Sequence, residues 1–115
     1  MGTSDAISAL HPALAGHFPG NPIVPGVLIL RRVCRAVIRE YGGEYGGEYG
    51  GAHGGAVTAV PIVKFHAPLR PEETFDISLE RARESTVNFR VVRGATLIAS
   101  GTVCLGVITG GMKVP

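Results

Sequence analysis

A segment rich in proline and glycine near the N-terminus holds the residues best suited to acid–base chemistry. Residues 11–26 contain four prolines, three glycines and two histidines. Each proline fixes φ and removes a backbone donor, so this segment is expected to form a rigid loop rather than a helix or a central strand. His17 lies between Gly16 and Phe18. It is the candidate general base, because an imidazole gains and loses a proton near neutral pH.

The helix predicted to follow this loop supplies a second chemical group. The N–H of Gly26 would lie in the first helical turn, where amides have no acceptor within the helix and where negative charge is stabilised. His17 and Gly26 could then lie on either side of one carbonyl, which suits proton removal next to a thioester. The alternative is a structural histidine bonded to loop carbonyls. That alternative is preferred for His11 and His66, and His53 is expected to be solvated.

The residues after Pro25 have the spacing of one amphipathic helix. Apolar residues recur at Leu30, Val33, Cys34, Val37 and Tyr41, which predicts a helix over residues 26–40. Its first turn, residues 27–30, is apolar all round and is expected to be buried on every side. A basic sector follows further along the same helix, formed by Arg31, Arg32, Arg35 and Arg39.

The second half of the chain changes to a period of two residues. Runs rich in β-branched residues predict four strands, at about residues 57–65, 74–82, 87–92 and 96–107. Phe75, Ile77 and Leu79 alternate with polar residues and should face the core. Turn residues at 84–85 and 93–94 indicate that the last three strands form an antiparallel meander. One helix followed by an antiparallel sheet predicts an α+β fold.

Between the helix and the strands lies a low-complexity tract built on a repeated Tyr-Gly-Gly-Glu unit. Glycine loses the most backbone entropy on ordering and has no side chain to bury, so residues 41–56 are expected to form a flexible loop within a single domain of residues 1–115. A phosphate-binding loop would need a preceding strand, a following helix and a positioned lysine or acidic residue, and none of these is present.

Composition narrows the class of protein. The chain has 115 residues, 45% hydrophobic and 17% charged, as in a compact globular domain. The longest apolar run, Ile23 to Leu30, is too short to span a membrane, and no secretory signal is recognised, so a cytoplasmic protein is expected. Cys34 and Cys104 lack zinc-ligand spacing and are expected to be buried free thiols. No metal or nicotinamide site is evident, and a net charge of +2 does not indicate nucleic-acid binding.

The loop and the helix start also match a known family. The run from Gly16 to Leu30, Gly-His-Phe-Pro-Gly-Asn-Pro-Ile-Val-Pro-Gly-Val-Leu-Ile-Leu, closely resembles the signature of the hotdog-fold 3-hydroxyacyl-[acyl-carrier-protein] dehydratases. A weaker similarity continues through Lys64 to Pro71. The resemblance implies a hotdog fold, in which a curved antiparallel sheet wraps around one long central helix. It also implies paired subunits with active sites at their interface.

The resemblance implies roles for individual residues. His17 would remove the C2 proton of a 3-hydroxyacyl thioester, while the Gly26 amide holds the thioester oxygen. Family members also supply a Glu or Asp, from the partner subunit, one residue after the Leu-Ile-Leu run. That position is Arg31, which stays protonated at neutral pH and cannot take the place of an acid. The apolar pocket wall is expected to include Phe18, Pro25, Val27, Leu30 and the strand residue Phe65.

The sequence is compatible with three functions. In the first, the chain is a dehydratase in which His17 and the Gly26 amide suffice, with Arg31 binding the leaving oxygen or a polar substrate group. Alternatively, it is one subunit of a heterodimeric dehydratase whose partner supplies the acid. The third possibility is a non-catalytic acyl-carrier-binding protein or a thioesterase-like relative.

The expected assembly is a homodimer, a heterodimer or a higher oligomer, with an acidic acyl carrier protein delivering the substrate on phosphopantetheine. The basic residues Arg32, Arg35, Arg39, Lys64 and Arg70 are candidates for binding that carrier.

Overall fold

The computed structural model describes residues 2–14, 23–41, 55–83, 85–109 and 112–113. Within these ranges, the α-helix α1 runs from Gly26 to Tyr41, and a short 3₁₀ turn covers Pro12–Leu14. The same ranges include the strands β1 (Gly2–Asp5), β2 (Gly55–Phe65), β3 (Phe75–Arg83), β4 (Thr86–Arg93), β5 (Thr96–Thr109) and β6 (Met112–Lys113). The predicted α+β class is confirmed, since one helix packs on an antiparallel sheet.

The strands form the antiparallel order β1-β3-β4-β5-β2, with β6 paired to β5. Strands β3, β4 and β5 are the predicted meander, and Gly94, with φ of 60°, makes the tight turn between the last two. The four predicted strands are therefore confirmed with small shifts at their ends. Strands β1 and β6 were not predicted. The predicted glycine-rich loop lies mostly outside the described residues, but the helix continues through Tyr41 and β2 already begins at Gly55.

The core lies between α1 and the inner face of the sheet. Phe75, Ile77 and Leu79 are buried while the residues between them are exposed, which confirms the predicted alternation in β3. The helix contributes Leu28, Ile29, Val33, Ala36 and Val37. From the sheet, Val87, Phe89, Val91, Ile98 and Val103 complete the same cluster. Burial of this apolar area is the main source of stability that fixes the helix on the sheet.

The prediction that the first helical turn is buried on all sides is wrong. Val27 is 59% exposed and Leu30 only half-buried, whereas Leu28 and Ile29 are buried. The reason is geometric, because the sheet covers one side of α1 and successive residues point about 100° apart around a helix. The basic sector is where the sequence placed it, with Arg31, Arg35 and Arg39 exposed.

A local irregularity shapes the strand that approaches the helix start. The pairing of β2 with β5 shifts register between Ala59 and Ile62, around Pro61. Opposite this bulge lies Gly101, where an added Cβ would overlap the carbonyl oxygen of Ile62. Glycine at this position therefore lets the backbones approach closely, and it positions the end of β2, including Phe65, against the start of α1.

Candidate active site

The N-terminal end of α1 opens into a cavity of about 420 Å³. Gly26 lies on its wall, together with a mostly apolar set of residues: Ile23, Val24, Ile29, Phe65, Pro68 and Leu69. A first-turn amide has no acceptor within the helix, and the helix dipole adds partial positive charge at this end. The cavity therefore combines an apolar lining with one end that stabilises negative charge.

The ring of Phe65 is packed directly over Gly26. A Cβ built on Gly26 would lie 2.6 Å from Cζ of Phe65, closer than any side chain tolerates without movement. Phe65 itself is 50% exposed, so its ring borders both the helix start and solvent. Glycine is required at position 26 for this close approach between ring and backbone, independently of any role of its amide.

Backbone hydrogen bonds hold the segment before the helix against the connection between β2 and β3. The N–H of Val24 donates to the carbonyl of Leu69 at 2.8 Å. Next to it, the N–H of Glu72 donates to the carbonyl of Ile7 at 2.7 Å, and the N–H of Ala9 donates to Oε2 of Glu72 at 2.7 Å. These contacts join three separate parts of the chain and fix the approach to the helix start.

Of the two histidines His17 and His66, the structure describes only His66. His17 and Phe18 lie outside the described residues, so the role of each stays a prediction. His66 lines the cavity, and its Nε2 lies 2.9 Å from Oγ of Ser100. Its backbone N–H donates a hydrogen bond to the carbonyl oxygen of Ile98 at 2.8 Å. His66 therefore has a structural partner, although that partner is a serine hydroxyl rather than a loop carbonyl.

A second groove of about 420 Å³ runs along the side of α1 that faces away from the sheet. We call this side the outward face of α1, and its lining is Val27, Leu30, Arg31, Cys34, Arg35 and Ile38. Val27 and Leu30, predicted as pocket wall, thus lie beside Arg31 and do not line the cavity at Gly26. Pro25 is half-buried just before the helix, and its carbonyl accepts a hydrogen bond from Leu28 at 3.0 Å.

Among the described residues, no carboxylate near Arg31 replaces the acid that the family resemblance implies at this position. Arg31 is exposed, and the lining of its groove includes no carboxylate. Burial raises the pKa of the neighbouring Cys34 thiol, which keeps that group protonated at neutral pH. Both cysteines are free and half-buried rather than fully buried. An acid at this place would have to come from beyond the described part of the chain.

The sequence profile of the ApeI-like family, described as ApeI dehydratase, matches residues 4–102. The chain belongs to the ApeI-like dehydratase family. The 3-hydroxyacyl-[acyl-carrier-protein] dehydratase FabZ of Aliarcobacter butzleri is 36% identical over 75 residues, 64% of this chain and 51% of that protein. The FabZ of Ehrlichia chaffeensis is 30% identical over 97 residues, 80% of this chain and 64% of that protein. The chain thus spans about half to two thirds of these relatives.

Solved structures support the same fold. A chain of the dehydratase heterocomplex ApeI:P from Xenorhabdus doucetiae aligns with a TM-score of 0.66 at 21% identity, covering 90% of this chain and 84% of that one. A point mutant of the fluoroacetyl-CoA-specific thioesterase FlK aligns with a TM-score of 0.70 at 19% identity, covering 94% and 88%. The fold is therefore the hotdog fold, as the resemblance implied, and this family member shares it with both dehydratases and thioesterases.

The basic residues predicted to bind a carrier fall into separate regions of this ApeI-like chain. Arg32, Arg35 and Arg39 line a polar groove of about 190 Å³ beside β1. Lys64 is exposed on β2, and Arg70 is exposed in the connection that precedes β3, where its backbone N–H donates to Oε1 of Glu73 at 2.7 Å. The structure therefore brings Arg32 and Arg35 together and leaves Lys64 and Arg70 elsewhere.

Sequence reasoning missed the partner of Arg32. Nη1 of Arg32 lies 2.6 Å from Oδ1 of Asp5, and it also donates to the carbonyl of Ala6 at 3.3 Å. Asp5 is in β1, a strand that no periodicity in the sequence indicated. The pair depends on β1 joining β3 in the sheet, which is a long-range contact without a local sequence signal.

The described part of the chain contains no helix long and apolar enough to cross a membrane. Within the same ranges, no three His, Cys, Asp or Glu side chains come together as metal ligands would.

Proposed function

We propose that this chain acts on a 3-hydroxyacyl thioester carried by an acyl carrier protein and eliminates water to give the trans-2-enoyl thioester. The observation that carries the proposal is the apolar cavity at the N-terminal end of α1, with Gly26 on its wall. Membership of the dehydratase family and the FabZ relatives support the same reaction. Such a cavity suits an acyl thioester, whose chain is apolar and whose carbonyl oxygen gains negative charge during the reaction.

The proposed reaction starts with proton removal from C2. The imidazole of His17 takes this proton, and the electron pair moves toward the thioester carbonyl. The Gly26 N–H, together with the helix dipole, stabilises the charge that develops on the carbonyl oxygen. The electron pair then forms the C2–C3 double bond while the C3–O bond breaks. The imidazolium of His17 gives its proton to the departing hydroxyl, which leaves as water, so His17 returns to its neutral form and atoms and charge balance.

The test follows hydration of a 2-enoyl thioester on an acyl carrier protein, the reverse of the proposed reaction. His17→Ala should lower the rate by about 100-fold or more, because general base catalysis typically contributes that much. His11→Ala is the matched control: it removes a histidine that does not line the cavity, and activity should stay within about threefold.

Equal rates for His17→Ala and the unmodified chain would contradict the proposed base. Release of a free carrier thiol without enoyl turnover would instead favour a thioesterase, a function of other proteins with this fold. Carrier binding without turnover, in the chain alone and with every hotdog partner tested, would favour a non-catalytic binding protein.

A second candidate function is that of one subunit in a heterodimeric dehydratase. It is favoured by Arg31, which lies in a mostly apolar groove on the outward face of α1 in place of the family's acid. The related ApeI:P dehydratase is a heterocomplex. A partner with a carboxylate at the position equivalent to Arg31 would supply the acid to the site that contains His17 and Gly26. A second copy of this chain would bring an arginine to that site instead.

Arg31→Glu separates the two candidates. If the chain needs an acid from a partner, the chain alone should be nearly inactive and Arg31→Glu should raise its turnover by about tenfold or more. Arg31→Gln is the matched control, because it removes the charge without adding an acid. High activity of the unmodified chain alone, with no gain from Arg31→Glu, would favour the self-sufficient dehydratase.

A further inference from the structure

The cavity at the start of α1 contains one polar side chain that the proposed reaction does not use. Among the described residues that line this cavity, His66 is the one whose side chain carries polar atoms, and the others are glycine, proline or apolar residues. In a mostly apolar pocket, the few polar groups fix the orientation of the ligand and provide specificity. His66 is therefore placed to contact a polar group of whatever occupies the cavity.

The imidazole of His66 is held through one of its two nitrogens. Nε2 lies 2.9 Å from Oγ of Ser100, and the backbone N–H of His66 donates to the carbonyl oxygen of Ile98 at 2.8 Å. Among the described residues, Nδ1 has no hydrogen-bond partner. Nδ1 donates or accepts a hydrogen bond according to the tautomer, and a hydroxyl group can do either in return. Nδ1 is thus the nitrogen available to a hydroxyl of the ligand.

His66 also lies close to the group proposed to hold the thioester oxygen. The ring of Phe65 packs over Gly26, and the Cα of His66 is about 3.8 Å from that of Phe65, as in any two consecutive residues. In a 3-hydroxyacyl thioester, the hydroxyl oxygen is three bonds from the carbonyl carbon, so the group that binds it must border the same cavity as Gly26. His66 meets this condition. Arg31 does not, because it lines the groove on the outward face of α1.

We propose that His66, held by Ser100, binds the C3 hydroxyl of the substrate through Nδ1 and so orients the leaving group. This inference rests on the proposed function. It deepens that function by assigning the orientation of the hydroxyl to a side chain of this chain, at a site where Arg31 replaces the family's acid. His17 still takes the C2 proton and returns it to the hydroxyl, and His66 fixes the position of that hydroxyl.

The first experiment measures whether the cavity recognises the hydroxyl. A 3-hydroxyhexanoyl group and a hexanoyl group are each joined by an amide to the phosphopantetheine arm of an acyl carrier protein. Neither ligand is turned over, because C2 is much less acidic beside an amide than beside a thioester. His66→Ala should raise the Kd of the hydroxylated ligand by about fivefold or more, as the loss of one hydrogen bond does, and leave the Kd of the other ligand within about twofold.

Two conservative variants separate contact with the hydroxyl from a structural role. The side-chain amide of asparagine overlaps Nδ1 of histidine, whereas that of glutamine overlaps Nε2. His66→Asn should therefore restore part of the preference for the hydroxylated ligand, and His66→Gln, which keeps only the contact with Ser100, should not. His11→Ala, which removes a histidine outside the cavity lining, should leave both Kd values within about twofold. Circular dichroism checks that each variant is folded.

Hydration of the 2-enoyl thioester gives a second readout, because this substrate has no hydroxyl. His66→Ala should leave its KM within about twofold and lower kcat by about tenfold or more, since the contact forms only as the oxygen adds to C3. A rise in KM with unchanged kcat would contradict the proposal. It would mean that His66 shapes the cavity for the acyl chain.

The binding results also separate the contact from the proposed function. Equal weakening of both ligands by His66→Ala, or recovery with His66→Gln but not with His66→Asn, would overturn the contact. Turnover that His17→Ala abolishes and His66→Ala leaves unchanged would reject the contact and keep the function. A hydroxyl preference that depends on His66, in a chain without turnover, would keep the contact and reject the dehydratase function. Absence of binding of either ligand would reject both.

Discussion

The two sides of helix α1 have different compositions and different surroundings. The side toward the sheet carries Leu28, Ile29, Val33, Ala36 and Val37, all buried. The outward face mixes apolar side chains with Arg31 and Arg35, and its groove is open to solvent. The first side explains why the chain folds as other hotdog proteins do. The second carries Arg31, at the position where the family resemblance implies an acid, and it is where we propose that this chain differs in its chemistry.

The contrast is sharpest between two adjacent residues. Leu28 is 4% exposed and Val27 is 59% exposed, although both belong to the same apolar run. An exposed apolar side chain is ordinary when it is single. Here Val27, Leu30 and Ile38 lie together in one groove. Contiguous apolar surface of this kind is typical of contact with another subunit, which fits the paired arrangement that the family resemblance implies.

The largest expected effect is on stability, and it tests the difference between the buried and the outward side of α1. Leu28→Ala should lower the free energy of unfolding by about 2–5 kcal/mol, because it leaves a cavity in the core. Val27→Ala should change it by no more than about 0.5 kcal/mol in the isolated chain. Urea unfolding of both variants measures the difference. Equal losses would contradict the contrast, and they would mean that the outward face is already covered in the purified protein.

The second expected effect concerns Gly26, where the helix begins. Gly26→Ala places a methyl group against the ring of Phe65, which is half-exposed and can turn toward the cavity. Stability should change by less than about 1 kcal/mol. Turnover should fall by about tenfold or more, because the displaced ring takes the space proposed for the thioester.

The control for Gly26→Ala is a glycine far from the cavity. Gly94 has φ of 60° and nothing within 4 Å of an added Cβ. Gly94→Ala should cost about 1–2 kcal/mol of stability, through the left-handed backbone alone, with no change in turnover. Replacement of Phe65 by Ala in the Gly26→Ala variant should recover part of the activity. Full activity of Gly26→Ala on its own would disprove the steric argument.

The helix and the four longer strands could be predicted because their signals are local. An apolar spacing of three and four residues identified α1, and alternation identified the strand that begins near Phe75. Strand β1 could not be predicted, because Gly2–Asp5 has neither alternation nor β-branched content beyond Thr3. It is a strand only because Ser4 and its neighbours pair with β3. The apolar run of the first helical turn also does not indicate which of its sides the sheet covers.

Part of the candidate site could be predicted, because that part also has a local sequence signal. Gly26 could be placed at the helix start from the proline-rich loop and the helical spacing that follows it. The packing of Phe65 over Gly26 depends on how β2 ends beside the helix, with a bulge opposite Gly101. Likewise, the Arg32–Asp5 pair joins residues 27 positions apart through the sheet. Contacts of this kind depend on tertiary structure, so residue type and spacing alone do not indicate them.

A smaller effect is expected from the ion pair between the helix and β1. Asp5→Asn should lower the free energy of unfolding by about 0.5–1 kcal/mol, since both side chains are partly exposed and solvent screens them. Because salt screens the pair, the difference from the unmodified chain should shrink in about 1 M salt. Chemical unfolding at low and high salt measures both values. A loss that is large and independent of salt would indicate packing rather than charge.

The smallest expected effect concerns Cys34 on the outward face. Burial raises the pKa of its thiol above the ordinary value, so at pH 8 it should react with iodoacetamide more slowly than free cysteine does. Site-resolved mass spectrometry separates Cys34 from Cys104. Because the unfolded thiol ionises at a lower pH than the folded one, stability should fall slightly as pH rises through the ordinary thiol pKa, and Cys34→Ser should remove that part.

The alkylation rate of Cys34 also tests whether another subunit covers the outward face of α1. In the chain alone, the thiol is half-buried by its own neighbours in α1 and should stay measurably reactive. A second subunit seated on that face would exclude solvent further, raise the thiol pKa again and slow alkylation by about tenfold or more. Unchanged alkylation in the presence of an active partner would mean that the partner binds elsewhere, and that Arg31 is not where the two subunits meet.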